Sequence, residues 1–301
     1  MNKEELLGLY NLELDELLAI SRKYMSDDIE FCSLVNARNG KCSQNCKYCA
    51  QSSHYCTNIE TFPLIEIDEV EKVALEAKSQ KASRFAVVTS GKTPDESDAD
   101  KIIEMIKKIN SIDGVQSCAS IGILDEENAK KLADAGLKRF HHNINTAESY
   151  YPEVCTTHTW QDRKKTCELV KKYGMELCCG VILGMGESVE QRVEMALQLA
   201  EIAPNSIPIN ILMPIKETPF ENYHDKIDEQ HILRSLAIIK IANPSAVLRF
   251  CGGRMRLSEA GQEIALKNCV EGILIGNYLT TTGKAPCEDL QTVQKLGKKI
   301  V

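Results

Sequence analysis

A short apolar run followed by a longer amphipathic segment recurs along this chain, and this alternation constrains the fold more than any other feature. The apolar runs predict strands at residues 31–36, 84–89, 115–121, 139–144, 176–182, 206–212, 247–251 and 272–275. The segments between them repeat apolar residues at three- and four-residue intervals, which predicts helices with one buried face. These helices are predicted at residues 69–79, 99–109, 126–135, 161–173, 189–203, 230–242 and 259–269.

Strands that alternate with helices pair in parallel through right-handed crossovers. Eight such strands in 301 residues fit an α/β fold of the closed (β/α)8 TIM-barrel type, which needs about 250 residues. A doubly wound open sheet is the alternative, because pattern alone rarely decides whether a sheet closes. We expect residues 1–25 to form a helical extension outside the barrel and residues 26–301 to form the barrel domain.

Composition excludes several classes of protein. The formal net charge of −7 argues against non-specific nucleic-acid binding. The chain contains neither an apolar run near the roughly 20 residues that cross a bilayer nor a secretory signal, so we expect a cytoplasmic protein without a membrane partner. The 13 cysteines are too few for a disulfide scaffold of this length, and a reducing cytosol discourages disulfides. Some should therefore bind metal and others should pack.

Three of these cysteines, Cys42, Cys46 and Cys49, lie in one loop after the first predicted strand. A [4Fe-4S] cluster normally takes four thiolates, so three leave one iron open. This spacing is typical of radical S-adenosylmethionine (SAM) enzymes, in which SAM binds the open iron and its reduction releases a 5′-deoxyadenosyl radical. Tyr48, just before the last cysteine, suits packing near the adenine. A zinc or ferredoxin-like site is the alternative, but zinc usually needs a second C-x2-C pair, which is missing.

Two segments at predicted strand ends suit the rest of a SAM site. Thr89, Ser90 and Gly91 close the second strand with small residues, which let the backbone approach a ligand, although an ordinary turn has the same composition. Ile182 and Glu187 belong to a segment that ends the fifth strand and fits the pattern G-x-I-x-G-x-x-E seen near the adenosine of SAM. This pattern is weak alone and becomes supportive beside the cysteine triad.

Longer stretches resemble the biotin synthase family. The resembling motifs lie in order over nearly the whole chain, at residues 36–42, 45–55, 142–143, 156–157, 184–187, 208–210, 249 and 279–281. Biotin synthases are homodimeric radical SAM barrels that insert sulfur into dethiobiotin, and a second iron–sulfur cluster deep inside supplies the sulfur. The resemblance implies this activity, a [4Fe-4S] cluster, SAM, dethiobiotin, an electron donor of the flavodoxin or ferredoxin type and a homodimer.

The resemblance also implies roles for individual residues. Arg163 should pair with the carboxylate of SAM, whereas without the resemblance a solvated helix-face arginine would be the simpler interpretation. Asn143 and Asn145 match positions that hold the SAM ribose and the substrate. The family more often has Asn where this chain has His141 and Asp where it has Asn145, which leaves the detailed hydrogen bonding there open.

The substrate contacts implied by the resemblance lie later in the chain. Asn210 matches the residue that contacts the ureido ring of dethiobiotin, and an amide offers the donor and the acceptor that a cyclic urea needs. Thr280 and Thr281 match the contacts to the valeryl carboxylate, and His141 lies on the substrate side. His141 and His142 are adjacent on a strand and point to opposite faces, so one zinc ion cannot easily bind both.

The second cluster site departs from the family pattern. Familiar members bind a [2Fe-2S] cluster with three cysteines and an arginine, and Cys118, Cys178 and Arg249 match three of these ligands. The remaining cysteine should lie on the second strand, in an Arg-Phe-Cys sequence. This chain has Ala86 there, and alanine cannot bind iron.

Two cysteines, Cys179 and Cys251, occupy positions where the family usually has serine. Strand alternation predicts that Cys251 shares the face of Arg249 and that Cys179 points away from Cys178. We therefore expect Cys118, Cys178 and Cys251 to hold an auxiliary cluster other than [2Fe-2S], such as a [4Fe-4S] cluster whose open iron carries an extra sulfide. Cys179 and Arg249 stay in the candidate ligand set. The alternative is that Cys179 and Cys251 pack in the core of an enzyme that has lost sulfur insertion.

The other cysteines are interpreted as packing or exposed thiols, and they are Cys32, Cys56, Cys155, Cys167, Cys269 and Cys287. Two competing functions stand beside sulfur insertion. A related radical SAM enzyme of the hydrogenase-maturation or methylornithine-synthase type would share the triad, but would not be expected to combine Asn210 with inward Cys118 and Cys178. A non-catalytic metal-binding or sulfur-carrier protein would not cleave SAM at all.

Overall fold

The computed structural model describes residues 1–279 and 283–301, and parallel strands form its centre. The strands are β1 (Asp28–Arg38), β2 (Arg84–Thr89), β3 (Gln116–Ser120), β4 (Arg139–His141), β5 (Glu176–Cys178), β6 (Val181–Leu183), β7 (Ser206–Ile211), β8 (Val247–Phe250), β9 (Gly272–Leu274) and β10 (Lys299–Ile300). Strand β9 pairs with β1, with Gly272 beside Glu30, and this pairing closes the sheet. The closed barrel is confirmed, and the open sheet is excluded.

The predicted strand at residues 176–182 is divided into β5 and β6, which together form one of the eight positions around the barrel. Both pieces pair with β7, through Cys178 beside Ser206 and Val181 beside Ile209. Between them, a Cβ atom on Gly180 would lie 1.9 Å from the carbonyl oxygen of Pro208, so only glycine permits this close approach. The division tightens the barrel wall beside the site.

Helices surround the barrel. They are α1 (Lys3–Tyr10), α2 (Leu14–Arg22), α3 (Ile67–Ser79), α4 (Glu96–Asn110), α5 (Glu126–Asp134), α6 (Tyr151–Val154), α7 (Trp160–Lys172), α8 (Val189–Ile202), α9 (Glu229–Ala242), α10 (Glu259–Asn268) and α11 (Pro286–Lys295). The seven predicted helices are confirmed with ends shifted by up to three residues. Side chains of Asp95, Asp125, Thr159 and Ser188 cap four of them by accepting backbone N–H bonds, which sets where these helices begin.

The first two helices pack on the outer layer. The Tyr10 hydroxyl accepts a hydrogen bond from Nη1 of Arg192 in α8 at 3.3 Å. Nη1 of Arg234 in α9 donates to the Tyr10 carbonyl at 2.8 Å. Among the described residues, no helix is long and apolar enough to span a bilayer.

Ion pairs fill the amino-terminal end of the barrel interior. Glu30 on β1 accepts from Nε of Arg84 at 2.9 Å and from Nη1 of Arg139 at 3.0 Å, and it also pairs with Arg249. Burial alone would raise the pKa of Glu30, but the three guanidinium groups outweigh it and hold the pKa well below its usual range. We call Glu30, Arg84, Arg139 and Arg249 the ion-pair layer, and it forms a cationic floor for the residues above it.

Candidate active site

The loop after β1 brings the three triad cysteines around one cavity. The N–H of Cys42 donates to the carbonyl of Gln51 at 2.9 Å, and the N–H of Cys49 donates to the carbonyl of Cys46 at 3.0 Å, so the loop folds back on itself. The resulting space of about 140 Å³, which we call the triad cavity, also borders Arg163. It is lined by Cys42, Gln44, Cys46, Tyr48, Cys49, Gln51, Thr89, Ser90, Gly91, Lys92, Gly122, Ile123, His142, His158 and Arg163.

Two of the triad thiols are held in their protonated form by their surroundings. Burial raises the pKa of Cys49 to about 11, and Arg163 opposes this rise. The hydrogen bond to Cys155, followed by burial, raises the pKa of Cys46 well above the usual thiol range. Iron must therefore displace protons from these sulfurs when a cluster binds.

Cys155 and His158 also reach the triad, and the sequence interpretation missed both. The Sγ atoms of Cys155 and Cys46 lie 3.7 Å apart, and Cys155 Sγ is 3.4 Å from Nδ1 of His158. The ligand atoms of these three residues all lie within 4.8 Å of one another, which a single metal ion would need. Cys42 and Cys49 are outside this group, so a single-ion site would leave two triad thiols unused. The Cys155-x-x-His158 spacing was the sequence signal that could have found them.

Arg163 is partly buried beside the triad and is not a solvated helix-face residue. Its Nε donates to the Tyr151 hydroxyl at 2.6 Å, and its Nη1 donates to the Asn143 carbonyl at 2.9 Å. Burial opposes its charge, but the nearby Tyr151, Tyr48 and Cys46 raise its pKa. These contacts fix the guanidinium at the triad cavity, where it can meet a carboxylate.

The small residues after β2 also line the triad cavity. The Ser90 hydroxyl donates to the Gly40 carbonyl at 2.7 Å, which ties this turn to the start of the triad loop. Gly91 has φ +120°, and a Cβ atom there would lie 2.7 Å from Nη2 of Arg38. The Thr89 hydroxyl is buried without a hydrogen-bond partner. This wall therefore offers close backbone approach and one unpaired hydroxyl.

Glu187 and Asn145 have structural contacts and do not line the cavities described here. The Glu187 carboxylate accepts from the N–H groups of Gly184 and Met185, both at 2.8 Å, and from Nε of Arg192 at 3.1 Å. These three hydrogen bonds to the Glu187 carboxylate shape the loop after β6. Asn145 has φ +66° and is buried, and its backbone bridges the strands at Val181.

A second cavity of about 250 Å³, the middle cavity, adjoins the triad cavity. Tyr48 and Cys49 line both, and Ile182 and Asn210 line the middle cavity. Oδ1 of Asn210 accepts from the N–H of Gly252 at 3.0 Å, while its Nδ2 lies 3.5 Å from the Val181 carbonyl. Because that second contact is long, the donor edge of the amide stays available to a ligand.

A third cavity of about 140 Å³, the inner cavity, lies deeper in the barrel. Its lining includes Cys32, Cys118, Cys251 and Arg249, so Cys251 and Arg249 share a face as strand alternation predicts. The inner and middle cavities have four lining residues in common, which are Leu34, Asn210, Leu274 and Leu279. The three cavities therefore follow one another, with Tyr48 and Cys49 at one junction and Asn210 at the other.

We call Cys118, Cys178 and Cys251 the deep thiols; Cys118 and Cys251 line the inner cavity, and Cys178 does not. Cys118 and Cys178 lie next to the ion-pair layer. Burial raises the pKa of Cys118 to about 12, against the opposing effect of Arg139 and Arg84. Burial likewise raises the pKa of Cys178, against Arg249 and Arg139. The cationic floor would favour the thiolate forms once a metal replaces their protons.

Arg249 and Cys179 differ in their relation to the inner cavity. Nε of Arg249 donates to the Ser206 hydroxyl at 2.9 Å, and its Nη1 is buried without a partner. Cys179 faces helix α7 instead, with its Sγ 3.8 Å from Sγ of Cys167. The structure therefore brings Arg249 to the inner cavity and does not bring Cys179 there.

His141 and Asn143 also line the inner cavity. Nε2 of His141 is buried without a hydrogen-bond partner. Burial, followed by the guanidinium groups of the ion-pair layer, lowers the pKa of His141 to about 3, so its imidazole is neutral. His142 lines the triad cavity instead, which separates the two histidines. The predicted substrate contacts Thr280 and Thr281 lie outside the described residues.

The triad cavity and the inner cavity both fit iron–sulfur clusters. Each is lined by several cysteine thiols. At the inner cavity, Nη1 of Arg84 and Nη1 of Arg249 are buried donors without partners. Buried donors are nearly always satisfied, so these two need hydrogen-bond acceptors beside them, and the sulfurs of a thiolate-bound cluster would accept.

Comparison with known proteins agrees with this geometry. Residues 38–200 match the family model of the radical SAM superfamily, and residues 208–299 match that of the biotin and thiamin synthesis associated domain. A biotin synthase of Acetivibrio thermocellus is 43% identical over 281 residues, covering 93% of this chain and 87% of that protein. A biotin synthase of Clostridium perfringens is 36% identical over 304 residues, covering 100% and 95%. The chain therefore belongs to the radical SAM superfamily and, within it, to the biotin synthase family.

Solved structures show the same fold at lower identity. Methylornithine synthase (PylB) superposes with a TM-score of 0.84 at 14% identity, covering 100% of this chain and 94% of that one. The FeFe-hydrogenase maturase HydG from Carboxydothermus hydrogenoformans also gives 0.84, at 15% identity, covering 100% and 76%. These similarities show only that the barrel fold is shared. The functional assignment therefore rests on the biotin synthase relatives, and the alternative of a related radical SAM enzyme is not favoured.

Proposed function

We propose that this enzyme forms biotin by radical SAM insertion of sulfur into dethiobiotin. The supporting observation is the order of the three cavities, with the triad thiols at one end, Asn210 in the middle, and Cys118 and Cys251 at the other end. Radical generation and sulfur donation need separate sites with the substrate between them. A non-catalytic metal-binding protein would have no need of the middle cavity.

At the triad cavity, Cys42, Cys46 and Cys49 are the proposed ligands of a [4Fe-4S] cluster with one open iron. When bound, this cluster supplies the electron that cleaves SAM. Arg163 would hold the SAM carboxylate by a charge-assisted hydrogen bond, because its guanidinium is already fixed by Tyr151 and the Asn143 carbonyl. Residues 89–91 would line the bound SAM, with Tyr48 and Ile182 near its adenosine.

In the middle cavity, Asn210 is the proposed contact to the ureido ring of dethiobiotin. Its Nδ2 could donate to the ring carbonyl, since its present contact to the Val181 carbonyl is long. His141 and Asn143 lie between this cavity and the deep thiols and would contact the other side of the substrate. Thr280 and Thr281 are the proposed contacts to the valeryl carboxylate.

At the inner cavity, Cys118, Cys178 and Cys251 are the proposed ligands of the auxiliary cluster. When bound, this cluster supplies the sulfur. Ala86 cannot replace the missing cysteine of the [2Fe-2S] pattern, whereas Cys251 adds a thiol on the face of Arg249. We therefore propose a four-iron cluster in which three thiolates leave one iron for an additional sulfide. Arg249 and Arg84 would donate their unpaired Nη1 groups to it.

The remaining parts of the proposal follow from the family and from the thiols. We propose a homodimer, an electron donor of the flavodoxin or ferredoxin type, and a barrel domain at residues 26–301 preceded by the extension at residues 1–25. We also propose a cytoplasmic location, because the 13 cysteines are all free and the clusters they would bind need a reducing compartment.

Anaerobically reconstituted protein tests this function. After reduction it should convert SAM and dethiobiotin to 5′-deoxyadenosine and biotin. Deoxyadenosine without biotin would favour a related radical SAM activity. Absence of both products from protein that carries its clusters would contradict radical chemistry altogether.

A further inference from the structure

We infer that Cys32 is a fourth thiolate ligand of the auxiliary cluster. The inference rests on the proposed function, since it concerns the same inner cavity. Cys32 lies on β1 and lines that cavity together with Cys118, Cys251 and Arg249. Because its side chain lines a cavity in the barrel interior, Cys32 can do more than pack in the core.

Strand register places Cys32 level with Cys118. In an eight-stranded barrel with a stagger of eight residues, each step around the barrel shifts the residue of equal height by about one position. Two steps therefore shift it by about two. The pairs Cys32–Arg84 and Arg84–Gln116 lead from Cys32 to Gln116 on β3, and the residue of equal height is two positions later, at Cys118.

The same rule extends this layer around the barrel. From Cys118 the ladder leads through Arg139 to Glu176, and two positions later is Cys178. In the other direction, Glu30 and Arg249 both pair with Gly272, so Arg249 is level with the residue two positions after Glu30. That residue is Cys32.

The barrel interior thus contains a layer contributed by alternate strands, as barrels of this type have. Its four members are Cys32, Cys118, Cys178 and Arg249. Three thiols and an arginine at one height are the ligand types of the familiar pattern, although Ala86 on β2 cannot contribute one. Cys32 supplies the thiol that the neighbouring strand lacks.

Cys251 is the fourth thiol and lies above the layer that contains Cys32, Cys118 and Cys178. It lies two residues after Arg249 and therefore one inward position higher. Cys32, Cys251 and Leu274 pack in one cluster, so the fourth thiol contacts the side of the layer where Cys32 lies. Three thiols in a layer and one above it surround a volume, as the ligands of a cubane do. A [4Fe-4S] cluster takes four thiolates.

The spacing of these thiols does not match a mononuclear site. No three of the ligand atoms of Cys32, Cys118, Cys178 and Cys251 lie within 4.8 Å of one another, in contrast to Cys46, Cys155 and His158. This wider spacing favours a cluster of several irons over a single ion. Cys32 would bind the iron that the other three thiolates leave open, in the enzyme that carries no additional sulfide.

The test compares Cys32→Ala with Cys269→Ala after anaerobic reconstitution. Cys269 is a matched control, because it is fully buried and its Sγ contacts Ser21 outside the barrel interior. SAM is added throughout, so that the open iron of the triad cluster is occupied. Iron and sulfide content, Mössbauer spectra and EPR spectra are measured on each protein.

The wild type and the Cys269 variant should bind about eight irons per chain, four in each cluster. The Cys32 variant should lose about one iron, or should bind added ¹³C-cyanide at its second cluster with a ¹³C hyperfine coupling that the wild type lacks. A second cluster with unchanged iron content, spectra and cyanide response would overturn the inference.

Cys32→Ser serves if the alanine variant does not fold, and it should shift the Mössbauer parameters of one iron in the second cluster. An unshifted spectrum would again overturn the inference. Failure of the proposed function has a different signature, since the wild type itself would then lack a second cluster or would form no biotin.

Discussion

The Sγ atom of Cys155 lies 3.7 Å from the Sγ atom of Cys46, although 109 residues separate them in the chain. The pair forms because the Asn45 side chain binds Thr156 at 2.7 Å and thereby ties the triad loop to the segment after α6. The hydrogen bond from Cys46 lowers the pKa of Cys155, burial opposes it, and His158 lowers it further. A thiolate therefore lies beside a proposed cluster ligand.

This pair should oxidise once the cluster is removed. In air-exposed apoprotein, oxygen should take two electrons from Cys46 and Cys155 to form a disulfide, since the sulfurs need only approach to about 2.05 Å. Oxygen is reduced to hydrogen peroxide, with one proton from the Cys46 thiol and the other from water. Peptide mapping without reduction should detect it. Cys167 and Cys179 are a comparison pair, with sulfurs 3.8 Å apart but no charged neighbour of this kind, and they should oxidise more slowly. Complete alkylation of Cys46 in the air-exposed apoprotein would contradict the prediction.

Arg163→Lys should weaken SAM binding. Lysine keeps the charge but cannot reproduce the fixed guanidinium that Tyr151 and the Asn143 carbonyl hold. A hydrogen bond to a charged group is worth about 1.5–3 kcal/mol, so the KM for SAM should rise about tenfold or more. The KM for dethiobiotin should stay the same. Arg234→Lys, which alters an arginine of the outer layer, is the control, and equal SAM constants in both variants would refute the role.

Asn210→Ala should weaken dethiobiotin binding by about 1–3 kcal/mol, because a buried urea group would lose its partner. Isothermal titration of SAM-loaded protein measures the change. Asn268→Ala is the control, since the amide of Asn268 bonds to the Ile264 carbonyl within helix α10. An unchanged dethiobiotin affinity of the Asn210 variant would remove this residue from the substrate site.

Glu30→Gln should destabilise the apoprotein by about 3–5 kcal/mol at neutral pH, because Arg249 would lose its carboxylate partner, while Arg84 and Arg139 would keep only Glu176. The native pKa of Glu30 is depressed, so its stabilising effect is present above the unfolded value of 4.5 and is lost as the pH falls below it. The free energies of unfolding of wild type and variant in urea should therefore converge on acidification below pH 4.5. A constant difference down to pH 3 would contradict this assignment.

Strand and helix positions followed well from periodicity, because each element buries one face against the barrel. The extent of β1 did not, since Asp28 and Arg38 are polar residues at the ends of an apolar strand. The division at Gly180 depends on close approach to Pro208, a contact between distant segments that periodicity does not report. Strand β10 is two residues long and, in the part of the chain that the structure describes, pairs with the start of β1, which gives too little pattern to detect.

The candidate site was predictable where ligands cluster in sequence, as in the triad, and where alternation decides a face, as for Cys251 and Arg249. Cys32 was interpreted as a packing residue because it lies in an apolar strand. The charged Glu30 two residues earlier was the available signal that this face of β1 points inward to other polar groups. Its level relative to Cys118 depends on register around the whole barrel, which no local pattern contains.

The proposed chemistry depends on the open iron of the triad cluster, which ENDOR spectroscopy can detect. Reduced protein with SAM labelled with ¹⁵N and ¹⁷O in its methionine part should show hyperfine coupling from both labels to the cluster, and Cys155→Ala should leave this coupling unchanged. Absence of the coupling in protein with an intact triad cluster would mean that a side chain such as Cys155 already holds the fourth iron, and would contradict binding of SAM to that iron.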